Sequence, residues 1–235
     1  MQTLVIPRAS NEATETAHFF EDVAVAVKDI ALFDVLFKPP KTPLPKDAAV
    51  CVTSKNGVRA LARFGVPKDI LLFVVGQASY ALAQALGYQN GVMSSDGTAK
   101  GLVDLVATKA QGRPLFYLRG QEVRYPLKET LEKRNLPLCQ HCVYKLVLRP
   151  EGAKRLHQEL LSKPWGVLVL SLRIAQALKD IMAANALKPL LAETHFFALS
   201  AASGAPLADQ VGSSLLYPAT PSLSHLKKRV QKALW

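Results

Sequence analysis

Hydroxyl and guanidinium side chains recur in this chain just beyond short apolar runs. Arg8 follows Leu4–Pro7, and Thr53 and Ser54 follow Ala49–Val52. Ser79 follows Leu71–Val75 by way of Gly76, and Arg119 and Gly120 follow Leu115–Leu118. Ser171 follows Val167–Leu170, and Ser200 and Ser203 follow the run Phe196–Leu199. Ser and Thr at a strand-to-helix junction accept from backbone N–H groups that lack a partner in the first helical turn. The same helix start can instead donate those N–H groups to a carboxylate or phosphate. An arginine fork matches a carboxylate. Helix capping explains any one of these junctions. The set is more informative, because open parallel sheets bind ligands beyond the carboxyl ends of their strands.

Such residues need strands to carry them. Ala49–Val52, Leu71–Val75, Gly91–Met93, Leu115–Leu118 and Leu138–Val143 are short apolar runs that predict buried strands. Helical stretches alternate with them at Lys55–Phe64, Ser79–Leu86, Thr98–Lys109 and Glu122–Arg134. Strands joined by helical crossovers imply a parallel sheet covered on both faces. Four prolines in Pro39-Pro40-Lys41-Thr42-Pro43-Leu44-Pro45 exclude helix or central strand there. A weaker break falls at Leu148–Gly152. Outside the breaks, strands are expected at Thr3–Ile6, Val23–Val27, Val167–Leu170, Phe196–Leu199 and Ser213–Tyr217. Helices are expected near Glu12–Phe20, Gly152–Leu161, Ile174–Ala184, Ser203–Gln210 and from about Ser222. The expected fold class is α/β. Two flavodoxin-like lobes each hold a parallel five-stranded sheet with helices on both faces, and one lobe is inserted in the other. Residues 1–38 with 149–235 form the first lobe, 46–145 the second, and 39–45 and 146–148 the crossings. The junctions Thr53-Ser54 and Leu170-Ser171, Gly76–Ser79 and Ser200–Ser203, and Arg119 and Arg8 recur in matching order, which suggests two copies of one fold with their polar ends facing one cleft.

Composition narrows the function. The chain has 235 residues, 29 Lys+Arg, 18 Asp+Glu and a net charge of +11. The basic excess is shared: 14 basic and 7 acidic residues lie between 46 and 145, and 15 and 11 outside. Such a field attracts polyanions, nucleic acid or acidic metabolites alike. No apolar run approaches the roughly 18 residues of a membrane span. Met1–Arg8 lacks the pattern of a signal peptide, so a cytoplasmic protein is expected. Cys51, Cys139 and Cys142 are expected as free thiols. Cys139-Gln140-His141-Cys142 lies within a strand, not at the helix start where a redox C-x-x-C works. The five histidines show no metal-binding spacing, so no metal is expected. P-loop, dinucleotide, nucleophile-elbow and zinc-protease motifs are absent. Lys227-Lys228-Arg229 fits a solvated helix face.

The ordered set of motifs resembles uroporphyrinogen-III synthases. Val52-Thr53-Ser54-Lys55-Asn56-Gly57-Val58 is similar to the family's F-T-S-x-N-x-V, and Val75-Gly76-Gln77-Ala78-Ser79 to its V-G-x-x-T. Gly97–Leu102 resembles the segment feeding the next helix, and Leu118-Arg119-Gly120 with Leu127 its R-G-x-x-x-x-x-L. Val143-Tyr144 matches the V-Y before the second crossing. Departures fall in the first lobe: Pro7-Arg8 stands for T-R, Leu170-Ser171 for T-S and Ser200–Ser203 for G-x-x-T.

The resemblance implies an enzyme, a cyclising lyase of haem biosynthesis. Its substrate would be hydroxymethylbilane, closed to uroporphyrinogen III with ring D inverted through a spiro intermediate. Tyr144 would be the general acid, since a phenol of ordinary pKa ~10 keeps its proton at neutral pH. Arg8, Thr53, Ser54, Gly76, Ser79, Arg119, Gly120, Ser171, Ser200 and Ser203 would bind substrate. No cofactor, nucleic acid or membrane is implied, and a monomer is expected. The alternative is an inactive relative that binds a tetrapyrrole or another polyanion.

Overall fold

A computed structural model describes residues 1–234. The chain divides into two compact units, Met1–Asp34 with Val147–Trp235, and Val35–Leu146. The first unit opens with β1 (Thr3–Ala9), α1 (Ala13–Phe19) and β2 (Ala26–Phe37), whose end passes into the second. There follow β3 (Ala49–Val52), α2 (Lys55–Arg63), β4 (Leu71–Val74), α3 (Gln77–Ala85) and β5 (Gly91–Met93). Then come α4 (Ala99–Lys109), β6 (Leu115–Gly120), α5 (Leu127–Glu132) and β7 (Leu138–Leu148), which carries the chain back. The first unit is completed by α6 (Pro150–Leu161), β8 (Gly166–Val169), α7 (Leu172–Ala184) and β9 (His195–Ala198). Its last elements are α8 (Ala201–Gly204), α9 (Ala208–Val211), β10 (Leu215–Leu216) and α10 (Leu223–Lys232).

Within Val35–Leu146 the strand order is β7-β6-β3-β4-β5, with parallel registers throughout. Period-2 alternation splits its core. Val50, Val52, Leu72, Val74, Phe116 and Leu118 pack on one face with Val58 and Leu61 of α2. Ala49, Cys51, Phe73, Leu115 and Tyr117 pack on the other with Leu102 and Val106 of α4 and Leu131 of α5. Both faces are covered, which is why these strands read as unbroken apolar runs. Burial drives the Cys51 thiol pKa up to about 12, so it behaves as a small apolar side chain.

The other unit has the order β10-β9-β8-β1-β2, also parallel. Leu4–Ile6, Val167–Val169 and Phe196–Ala198 are wholly buried. Its helices contribute Leu156 and Leu160 of α6, Ile174 and Leu178 of α7, and Leu226 and Val230 of α10. At Gly152, a Cβ would fall 2.3 Å from the Ala31 carbonyl oxygen, so only glycine lets α6 approach β2 this closely.

Two expectations need correction. Two separate, purely parallel five-stranded sheets are not found: the ten strands form one hydrogen-bonded order, and it is mixed. The cause is the length of β2 and β7, 12 and 11 residues. They run antiparallel to each other: Lys38 N–H donates to the Val143 carbonyl (2.8 Å), and Arg149 N–H to that of Leu32 (3.0 Å). The second correction concerns two helices. The helix expected over Glu122–Arg134 is confined to Leu127–Glu132, because the chain before it passes through Pro126, which lacks an N–H. The one expected over Ser203–Gln210 is broken at Pro206 into α8, a 3₁₀ turn and α9. Among the described residues, no helix is long and apolar enough to cross a membrane.

Candidate active site

In the unit Val35–Leu146, β3 ends at two adjacent hydroxyls that point to opposite faces. Thr53 Oγ1 lies 3.0 Å from the Tyr117 hydroxyl, and Ser54 Oγ lies 2.9 Å from the Tyr144 hydroxyl. Ser54 is also the N-cap of α2, accepting from Gly57 N–H at 3.0 Å. Two consecutive residues thereby hold two tyrosines, one from β6 and one from β7.

The placement of Tyr144 has a backbone cause. Along β6 and β7, Arg119 pairs with Cys142, but Gly120 pairs with Tyr144, so the register slips past Val143. Such a slip re-aims a side chain. Here Val143 and Tyr144 both pack on the same cluster. The phenol ring rests on Gly120, where a Cβ would fall 2.7 Å from Cζ and 2.8 Å from the hydroxyl oxygen of Tyr144. Phe37 leans on the ring with centroids 6.4 Å apart. The hydroxyl is thus fixed by a core-packed ring, a glycine seat and Ser54.

On the other face, Tyr117 and Arg119 are neighbours by strand alternation. Tyr117 is buried, which raises its phenol above the ordinary pKa, opposed by the Thr53 hydroxyl bond. Arg119 Nε donates to Gln140 Oε1 (3.1 Å), and an Nη donates to the Gly120 carbonyl (2.9 Å). Arg119 makes no ion pair among the described residues. Gly76 precedes α3 with no side-chain cap, so no side chain of the N-cap covers the N–H groups of Gln77 and Ala78 in its first turn. Ser79 is buried in the first turn, its N–H bonded to the Gly76 carbonyl (3.0 Å).

In the other unit the expected residues are engaged with their own chain. Arg8 pairs with Glu12 and donates to Thr16 Oγ1 at 3.2 Å. Ser171 caps α7, accepting from Ile174 N–H at 3.3 Å. Ser200 and Ser203 form a reciprocal capping box on α8: Ser200 Oγ accepts from Ser203 N–H (3.2 Å), and Ser203 Oγ accepts from Ser200 N–H (2.9 Å).

The structure brings Ser54, Gly120 and Tyr144 together on one face and sets Thr53 on the other beside Tyr117, which, with Gln140, was not among the expected site residues. Period-2 spacing was the available signal, since Tyr117 lies two residues before Arg119. Cys139, Cys142 and Cys51 are all free thiols. Among the described residues no group of His, Cys, Asp and Glu could hold a metal ion. A 660 Å³ cavity lies at the amino ends of β1 and β8, lined by Thr3, Lys28, Trp165 and Thr194, away from all these residues.

Solved structures share this fold. The uroporphyrinogen-III synthetase of Helicobacter pylori matches with a TM-score of 0.69 and 16% identity over 100% of both chains. A mutant uroporphyrinogen III synthase of Thermus thermophilus matches with a TM-score of 0.58 and 17% identity, over 99% of this chain and 97% of that one. No curated protein matches the chain in sequence comparison. The family model described as Uroporphyrinogen-III synthase HemD matches residues 37–227. That span contains every strand end of the hydroxyl cluster, and the chain belongs to the uroporphyrinogen-III synthase family.

Proposed function

We propose that this protein cyclises hydroxymethylbilane to uroporphyrinogen III, inverting ring D through a spiro intermediate. Family membership supports the reaction, and the Tyr144–Ser54 pair seated on Gly120 supports a place for its proton chemistry.

Tyr144 gives its proton to the terminal hydroxyl, the C–O bond breaks, and water leaves an azafulvene. A positioned acid contributes about 10²–10⁴ in rate. Ser54, 2.9 Å away, can turn its hydroxyl proton to the phenolate that forms, since its lone pair already receives Gly57 N–H. Ring D attacks the azafulvene through its substituted carbon, and the spiro intermediate fragments and recloses at the free carbon. The proton released as ring D regains aromaticity restores the phenol, so the net change is loss of one water. Holding one folded conformation of the substrate is the larger task, because unassisted closure gives the uninverted isomer.

The eight carboxylates of the substrate call for donors. The uncapped start of α3 at Gly76 and the guanidinium of Arg119 supply them in this unit. Thr53 and Ser79 line the same strand ends, and Arg8, Ser171, Ser200 and Ser203 occupy them in the other unit. We read the protein as a cytoplasmic monomer that needs no metal, organic cofactor, nucleic acid or membrane partner. Pro7, Leu170 and Ser200, where the family usually has other residues, favour the second reading, a non-catalytic tetrapyrrole binder. Incubating purified protein with hydroxymethylbilane and separating the oxidised products decides between them. Type III product supports the enzyme; only type I, at the rate without protein, refutes it.

A further inference from the structure

The two strand-end arginines differ in one neighbour. The register slip after Arg8 in β1 is the counterpart of the slip after Arg119 in β6, so the two residues are equivalent in the repeat. Four residues beyond Arg8 stands Glu12, whose carboxylate pairs with it. Four residues beyond Arg119 stands Val123. Instead of a carboxylate there is a cavity of about 250 Å³, lined by Tyr117, Arg119, Val123, Arg124, Lys128 and Gln140 among others. Arg124, like Arg119, is in no ion pair among the described residues. Lys128 reaches Glu132 only at 3.6 Å, and Glu129 is the one acidic residue of the lining.

We propose that this cavity is a carboxylate subsite, in which an acid arm of the substrate takes the place beside Arg119 that Glu12 holds beside Arg8, with Arg124 and Lys128 closing around it. The subsite rests on the proposed function for the identity of the acid; the recognition chemistry stands on the cavity itself. Arg119 is held in place through Gln140 and the Gly120 carbonyl, so its fork is oriented before the ligand arrives.

Replacing Val123 by Glu supplies the missing carboxylate from within, and Val123→Gln is the neutral control of like size. Val123 is 43% exposed, so neither change disturbs the core. The probe is uroporphyrinogen I, an octacarboxylate, kept reduced and titrated calorimetrically at low salt. Val123→Glu and the Arg124→Ala/Lys128→Ala double variant should each raise its Kd about tenfold. Val123→Gln should stay within about twofold of the parent, and the gap should narrow in high salt. With hydroxymethylbilane, KM should rise while kcat holds. A parent that does not bind the probe, or charge variants within about twofold of the parent, overturns the subsite. If the parent forms no type III isomer but Val123→Glu weakens probe binding, the subsite stands and the proposed reaction falls. If type III forms and Kd and KM are indifferent to all three variants, the reaction stands and the subsite falls.

Discussion

The unit Val35–Leu146 and its counterpart repeat one register and differ in what the register displays. Equivalence follows from the strand pairings: β6 and β7 correspond to β1 and β2, β3 to β8, and β4 to β9. Tyr117 then corresponds to Ile6, Thr53 to Leu170, Tyr144 to Phe33, Gly120 to Ala9 and Gly76 to Ser200. In one copy four hydroxyls form two close pairs and α3 starts without a side-chain cap. In the other copy the same places are apolar or capped by their own chain. Phe33 is 5% exposed, and the Arg173 guanidinium lies 5.7 Å above its ring. Both units keep the slip, and only the unit Val35–Leu146 places a hydroxyl there, on Tyr144 where the other has Phe33. Under the proposed function, bond-breaking chemistry belongs to the unit Val35–Leu146.

Altering the seat of Tyr144 should have the largest effect among the neighbours of that phenol. Gly120→Ala places a methyl inside the ring's space and should cost about 1–3 kcal/mol of stability. It should also lower kcat about tenfold or more, as misplaced groups do. Adding Tyr144→Leu should recover part of the stability but no activity, read by denaturant unfolding beside the isomer assay. The paired caps sharpen the contrast. Ser54→Ala and Ser171→Ala should each lose about 1 kcal/mol of cap energy. Only Ser54→Ala should lower kcat; any effect of Ser171→Ala should appear in KM. Equal kcat losses would break the assignment to one unit.

The smallest effect is on pH dependence. His141 is buried, stacks on Phe116 with centroids 5.8 Å apart, and accepts Lys41 N–H at Nδ1 (3.3 Å). Burial, then the Lys41 charge, lower its pKa below the ordinary value. The folded state therefore binds fewer protons than the unfolded state near the histidine range, and stability rises with pH there. That contribution is full above about 6.5 and declines as pH falls toward the lowered folded value. His141→Gln should flatten the unfolding free energy as pH falls below about 6.5, measured in urea.

Much of this was legible in the sequence. Apolar runs of four residues ending in Thr-Ser, Gly or Arg mark strand ends, because a strand buried on both faces has no polar residue until it leaves the core. That located Thr53, Ser54, Gly76 and Arg119, whereas Tyr144, inside β7, was reached only through the resemblance of Val143-Tyr144 to the family's V-Y. The lengths of β2 and β7 were not legible. Lys28, Asp29 and Asp34 interrupt the apolar pattern of β2, and the prolines that follow suggest an early end. Tyr117 was hidden because a tyrosine inside an apolar run reads as core, and it is core apart from its hydroxyl. The register slip at Val143 was beyond reach, since nothing in Cys142-Val143-Tyr144 signals that two consecutive side chains share a face. The partner of an arginine is equally silent: Glu12 is close in sequence, yet only the fold shows that it pairs with Arg8 while Val123 leaves Arg119 beside a cavity.

The most direct test is the rate of type III formation by Tyr144→Phe, a change that removes one oxygen and keeps the packed ring. The account predicts a kcat at least about 100-fold below the parent, an unchanged unfolding midpoint, and a product mixture drifting to type I as unassisted closure overtakes the enzyme. Type III formed at the parent rate by a fully folded Tyr144→Phe protein would contradict it.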